Sequence, residues 1–278
     1  MAQSVPRTIL KDLLHRANEL LHSGRWTEFD VKRLAAEAEK LSRSDALGAL
    51  EVKAMVSVLD NDLSSADALY DRVLRATGGS EQRLVRYLHL LAFSGQPLKL
   101  MSVFKGLVAD EGTLSPAARA HIAQALGYCG WLSESGRIRD ELSAAGHSIG
   151  DTSISELEYP EDREGESQGG GMAILSKQHF LTAPFVIEQN SVDPEALAVL
   201  VGEVHSFLRS RGAPASAVRG LSSPRDDGTS SVMMNFVVKA EAEEASDLEW
   251  SLYGHLAQQE SALLADGVVT IGLISGCQ

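Results

Sequence analysis

Residues 46–76 read ALGALEVKAMVSVLDNDLSSADALYDRVLRA. In the first part Ala46, Leu47, Leu50, Val52, Ala54, Met55, Val58 and Leu59 recur at helical spacing, and further on Ala66, Leu69, Tyr70, Val73 and Leu74 do so again. Asp60-Asn61-Asp62 separates the two runs, because short polar side chains bond the nearby backbone and favour turns. The stretch therefore predicts two helices folded back on each other. Thr77-Gly78-Gly79-Ser80 ends the second, the glycine pair suiting a left-handed helix stop.

The same plan recurs on both sides. Ser23-Gly24-Arg25-Trp26, Ser94-Gly95-Gln96-Pro97 and Cys129-Gly130-Trp131 are turns of the same kind, and Ser115-Pro116 opens a helix as N-cap and first-turn proline. With Gly24, Asp62, Gly95 and Gly130 taken as equivalent, the steps are 38, 33 and 35 residues, the length of one two-helix unit of a solenoid. A single hairpin cannot bury its apolar face, so it stacks on a neighbour, and such a stack leaves a groove. Tyr70, Tyr87, Phe104 and Arg137 are the side chains expected to meet a partner there. Trp26 and Trp131 sit at turns and are expected to pack between hairpins.

Over about residues 10–146 this run resembles a tetratricopeptide-type repeat array, although the Trp-x-x-Leu-Gly-x-x-Tyr signature is absent from every unit and Asp62 replaces a turn glycine. The resemblance implies a domain, 1–146, that binds peptides or partner helices. A plain helical bundle is the alternative.

Residues 147–171 form an acidic segment ending in Gly169-Gly170-Gly171, with seven acids and only Arg163 as a base between Asp151 and Gly170. Such a composition buries too little apolar surface to offset its ordering entropy and predicts a linker. Beyond it, in 172–278, the period shortens. Phe185-Val186-Ile187-Glu188 is expected as a strand, and Asp193-Pro194 as the start of a helix through Leu208. Ala217–Leu221 and Val232–Val238 are expected as a hairpin, followed by a helix from Leu248 to Leu263 and a strand from Val268 to Ile274. That order is βαββαβ, which resembles the ferredoxin-like plan of two helices on an antiparallel four-stranded sheet. A strand at Ala173-Ile174-Leu175 would extend its edge. The fold class is thus α+β, a helical-hairpin domain followed by a ferredoxin-like one.

The net charge of −13 lies entirely beyond residue 150, since the first 150 residues hold 18 bases and 18 acids. A surface of that sign repels phosphate backbones, so nucleic acid is not an expected partner. Another protein is, and a basic one is favoured. Nothing reads as a membrane span, the first helix is amphipathic and unlike a secretory leader, and Cys129 and Cys277 form no disulfide framework, which together point to the cytoplasm. The oligomeric state is left open.

Gly146-His147-Ser148-Ile149-Gly150 fits the nucleophile-elbow pattern of serine hydrolases, but a helix stop precedes it and an acidic segment follows, so no strand would hold Ser148 strained. His205 and Glu203 are two apart on a helix and point to different faces. No catalytic residue, metal site or cofactor is expected. Trp250 stands apart, because Leu248, Leu252 and Leu256 form the buried stripe of its helix and leave it facing elsewhere. The function expected is non-enzymatic: an adaptor of the bacterial chaperone or antitoxin kind, gripping a polypeptide in the helical groove with the acidic C-terminal domain as second contact. A small-ligand sensor is the alternative, and a hydrolase using Ser148 a remote one.

Overall fold

The structure is a computed structural model describing residues 5–23, 26–107, 114–147, 173–174, 177–224, 230–259 and 262–276. The acidic segment 148–171, Ser148, Cys277 and the turn residues Gly24 and Arg25 lie outside these. The chain is α+β and divides into two compact units, Met1–Leu90 and Leu91–Gln278.

The first unit holds α1 (Val5–Ser23), α2 (Glu28–Leu41), α3 (Ala46–Leu59), α4 (Leu63–Ala76) and most of α5 (Glu81–Phe93). Thr27 and Asp30 close a reciprocal capping box at the start of α2. α3 packs against α1, α2 and α4, and as a helix apolar on nearly every side it is buried accordingly. Its one buried acid, Glu51, accepts from Arg83 Nε at 2.6 Å and Arg86 Nε at 2.7 Å on α5. The predicted turn after α3 is present, with one adjustment. Asn61, at φ 60°, takes the left-handed position, while Asp62 caps α4 by accepting from Ser65 N at 3.0 Å. Asparagine tolerates this conformation better than most residues. The left-handed turn residues Asn61, Gly95 and Gly130 then fall 34 and 35 residues apart, a more even period than Asp62 gives.

The second unit continues with α6 (Pro97–Leu107), α7 (Pro116–Tyr128) and α8 (Leu132–Ala144). Ser115 caps α7 and Pro116 opens it, as expected. Ala118 and every residue from Ala120 to Tyr128 are buried, so α7 has no solvent-facing stripe along that length. Trp131 donates from Nε1 to the carbonyl of Pro97 at 2.9 Å and so joins one hairpin turn to the next.

After these come β1 (Ala173–Ile174), α9 (Lys177–Gln189), α10 (Pro194–Ser210), β2 (Ala215–Pro224), β3 (Ser230–Val238), α11 (Ala242–Ala257), α12 (Ala262–Ala265) and β4 (Val269–Ser275). Two expectations are corrected here. Phe185–Glu188 is no strand but the C-terminal part of α9, with Pro184 inside the helix. Val186 and Ile187 are buried while Phe185 is exposed, and so short an apolar run fits a strand and a helical turn equally well. The sheet is also not antiparallel throughout. Its order is β1-β2-β3-β4, with β1 parallel to β2, β2 antiparallel to β3 and β3 parallel to β4. Each helical crossover returns to the adjacent strand, whereas a ferredoxin-like crossover skips one. Element order does not encode that choice.

Helix α10 joins the layers of this unit. A Cβ built on Gly130, at φ +85°, would lie 2.9 Å from Val201 Cγ2 and 3.2 Å from both Ala198 Cα and the Leu197 carbonyl oxygen. One on Gly95, at φ +67°, would lie 2.9 Å from His205 Cβ and 3.3 Å from the Gly202 carbonyl oxygen. The two turns therefore seat on α10 about six residues apart, a rise of about 9 Å. That matches the 8–10 Å typical between packed helices, so one helix spans two successive hairpin turns. α10 also reaches the sheet through His205, whose ring stacks on Tyr128 at 4.4 Å and meets Phe236 of β3 edge-on at 5.0 Å. Its Nε2 donates to the Tyr128 carbonyl at 3.0 Å, and Tyr128 Oη donates to the Ala215 carbonyl.

Burial lowers the pKa of His205 from 6.5 to about 4, so the ring is neutral at pH 7. The unfolded chain takes up a proton near pH 6.5 and the folded chain only near 4, so stability is full above 6.5 and falls as the pH drops between those values. The loss by pH 4 is about 3 kcal/mol. Urea unfolding of the wild type and His205→Gln across pH 4–7.5 should show this slope diminished in the variant.

Candidate interaction surface

β3 ends at Val238, and after a two-residue turn Glu241 begins α11 in extended conformation. Glu243 and Glu244 occupy the first turn, where the helix dipole favours negative charge. Ala245, Leu252 and Leu256 are buried, and α11 packs along β4. At 100° per residue Trp250 falls about 140° from the centre of this stripe, on the outward face. Its neighbours on the outward face, Glu243, Ser246, Asp247, Tyr253, Gly254 and Ala257, are all exposed. Trp250 itself is 74% exposed, although tryptophan is on average a highly buried residue.

The Trp250 ring has an aromatic neighbour. Tyr253 meets it edge-to-face at 6.3 Å, and Tyr253 Oη lies 3.1 Å from both Glu249 Oε1 and the Ile271 carbonyl oxygen. Burial, and then the Glu249 charge, hold the Tyr253 pKa above its ordinary value, so the phenol remains a donor. Glu249 Oε1 also accepts the Leu273 N–H at 2.8 Å. Since β4 is an edge strand, these two side chains occupy backbone groups that a further strand would use. The sequence signal for this, an acid and a tyrosine four apart in the helix before the last strand, is recognisable only once β4 is known to be at the edge.

The other predicted site residues are placed differently. Tyr70 and Tyr87 are buried and stack on each other at 4.7 Å, with Tyr87 Oη on Asp67 at 3.2 Å, and Phe104 is buried too. Their rings belong to the core and offer no face to a groove, because helical periodicity marks the packed stripe of a helix whatever the side chain's size. Arg137 is exposed and paired with Glu134 at 2.7 Å and Glu141 at 2.6 Å. His205 and Glu203 diverge as expected, and Glu203 lies 3.8 Å from His255 on α11. Among the described residues no group of three metal-ligating side chains converges, and no helix is long and apolar enough to cross a membrane.

No protein-family model, curated protein or solved structure matches this chain.

From Ala240 to Gln278 the chain carries seven acids and no lysine or arginine. A cationic quencher should therefore reach Trp250 more readily than an anionic one. In fluorescence titrations at equal ionic strength, with each quenching constant taken relative to that for free N-acetyltryptophanamide, caesium is expected to exceed iodide for the exposed component, and Trp250→Phe should abolish that component. Equal relative constants for both ions would show that the acids do not set the field at the ring.

Proposed function

We propose that this protein works by binding another polypeptide, and that the outward face of α11 is its contact surface. The observation that carries this reading is Trp250, held edge-on by Tyr253 at the centre of an exposed helical face. Tryptophan and tyrosine supply large contact area at low conformational cost and dominate the energetics of protein interfaces. The hairpin turns at Gly95 and Gly130 act in this reading as the scaffold to which α10 fastens the sheet and α11. The groove contact expected of helical repeats gives way to the α11 face, because Tyr70, Tyr87 and Phe104 are buried. An adaptor or chaperone role fits a surface of this kind.

The test is affinity purification of the tagged chain from its native host, compared with Trp250→Ala at equal abundance and equal thermal midpoint. Loss of one or a few co-purifying proteins in the variant supports the reading. Identical profiles refute it.

A further inference from the structure

We infer that the partner segment is a basic amphipathic helix, lying along α11 from Glu243 to Ala257 with an apolar side chain seated beside Trp250. This rests on the reading of the α11 face as a contact surface and adds the partner's chemistry.

Charge sets its sign. Glu243 and Asp247 are exposed on the outward face along the first half of α11, and no lysine or arginine occurs in sequence from Ala240 onward. A partner buried against this face without lysine or arginine would desolvate those two carboxylates with no opposite charge brought to them, and a second copy would bring like charges together. Shape sets the apolar contact. Gly254 lies one turn beyond Trp250 on the same exposed face, and a Cβ built there meets nothing within 4 Å, so there is open space beside the ring for a partner side chain. The capped edge of β4 sets the partner's conformation. Glu249 and Tyr253 already hold the Leu273 N–H and the Ile271 carbonyl, so an extended peptide cannot add as a fifth strand without breaking them. What remains is docking through side chains. The exposed strip from Glu243 to Ala257 is about 21 Å long, which fits a helix of about four turns. Lysines or arginines in that helix's last turn would suit both its own dipole and the acidic start of α11, so the two run antiparallel.

The test is a display library of 16-residue helices with randomised outward positions, selected on the full chain and counter-selected on Trp250→Ala. Trp250-dependent clones are expected to carry two or more Lys or Arg within one turn and a branched or aromatic residue three or four positions away. Trp250→Ala should weaken them about 30-fold. The double variant Glu243→Gln, Asp247→Asn should weaken them about fivefold and remove most of their salt dependence. Gly254→Leu fills that space and should also cost about tenfold, while its thermal midpoint holds or rises because leucine is the better helix former, so unfolding cannot explain the loss. Trp250-dependent clones without positive charge, or extended ones, overturn the inference and leave the contact surface standing. Absence of any Trp250-dependent clone overturns both. Trp250-dependent self-association in sedimentation shows the occupant to be a second copy and overturns the inference.

Discussion

Glu51→Ala is expected to lower the unfolding free energy by roughly 3–5 kcal/mol, the range seen when one partner of a buried ion cluster is removed. Glu51 is fully buried and is the carboxylate between Arg83 and Arg86, which are themselves only 20% and 11% exposed at their side chains. Without it, two partly buried cations face each other where one anion had joined them. Glu51→Gln retains the shape but not the charge and should recover little. Replacing Glu51, Arg83 and Arg86 together with apolar residues of similar volume should regain most of the loss, because the desolvation cost then disappears as well. Urea unfolding of the three variants distinguishes the cases. A single variant within 1 kcal/mol of wild type would mean the cluster is not holding α3 to α5.

Gly130→Ala is expected to cost about 3 kcal/mol, of which 1–2 come from a left-handed alanine and the rest from its Cβ pressing on α10. Gly146 provides the control. It has a similar backbone, at φ +83°, but a Cβ there meets nothing within 4 Å, so Gly146→Ala should show the conformational cost alone. Gly202→Ala gives the converse. It sits within α10, where alanine is the better helix former, yet its Cβ would lie 2.9 Å from Pro97 Cδ and Cγ, so a net loss of about 1–2 kcal/mol reports contact alone. Equal effects at Gly130 and Gly146 would refute the seating of α10 on the hairpin turns.

The helical hairpins were legible because their signals are local. Apolar spacing, the caps at Ser115 and Asp193 and the left-handed stop at Gly78-Gly79 each act within a few residues. Where the left-handed residue was not glycine, at Asn61, the sequence pointed one position too far. The reading of Phe185–Ile187 as a strand failed for the same local reason, since three apolar residues carry no period. The wiring of the sheet and the seating of α10 depend on residues far apart in sequence. Gly95 and Gly130 announce turns, but nothing near them shows that a helix more than sixty residues later rests on them. At the candidate surface the distinction was clearer. Trp250 lies off the apolar stripe of its helix and is exposed, while Tyr70, Tyr87 and Phe104 lie on theirs and are buried.

Photo-crosslinking from single positions in the native host tests the contact surface most directly. With benzoylphenylalanine placed in turn at Ser246, Trp250 and Ala257 on α11, and at Glu188 on α9 as an exposed control, a discrete adduct with one other polypeptide is expected from the three α11 positions and not from the control. Adducts at the control alone, or none from α11, would contradict a partner-binding role for this face.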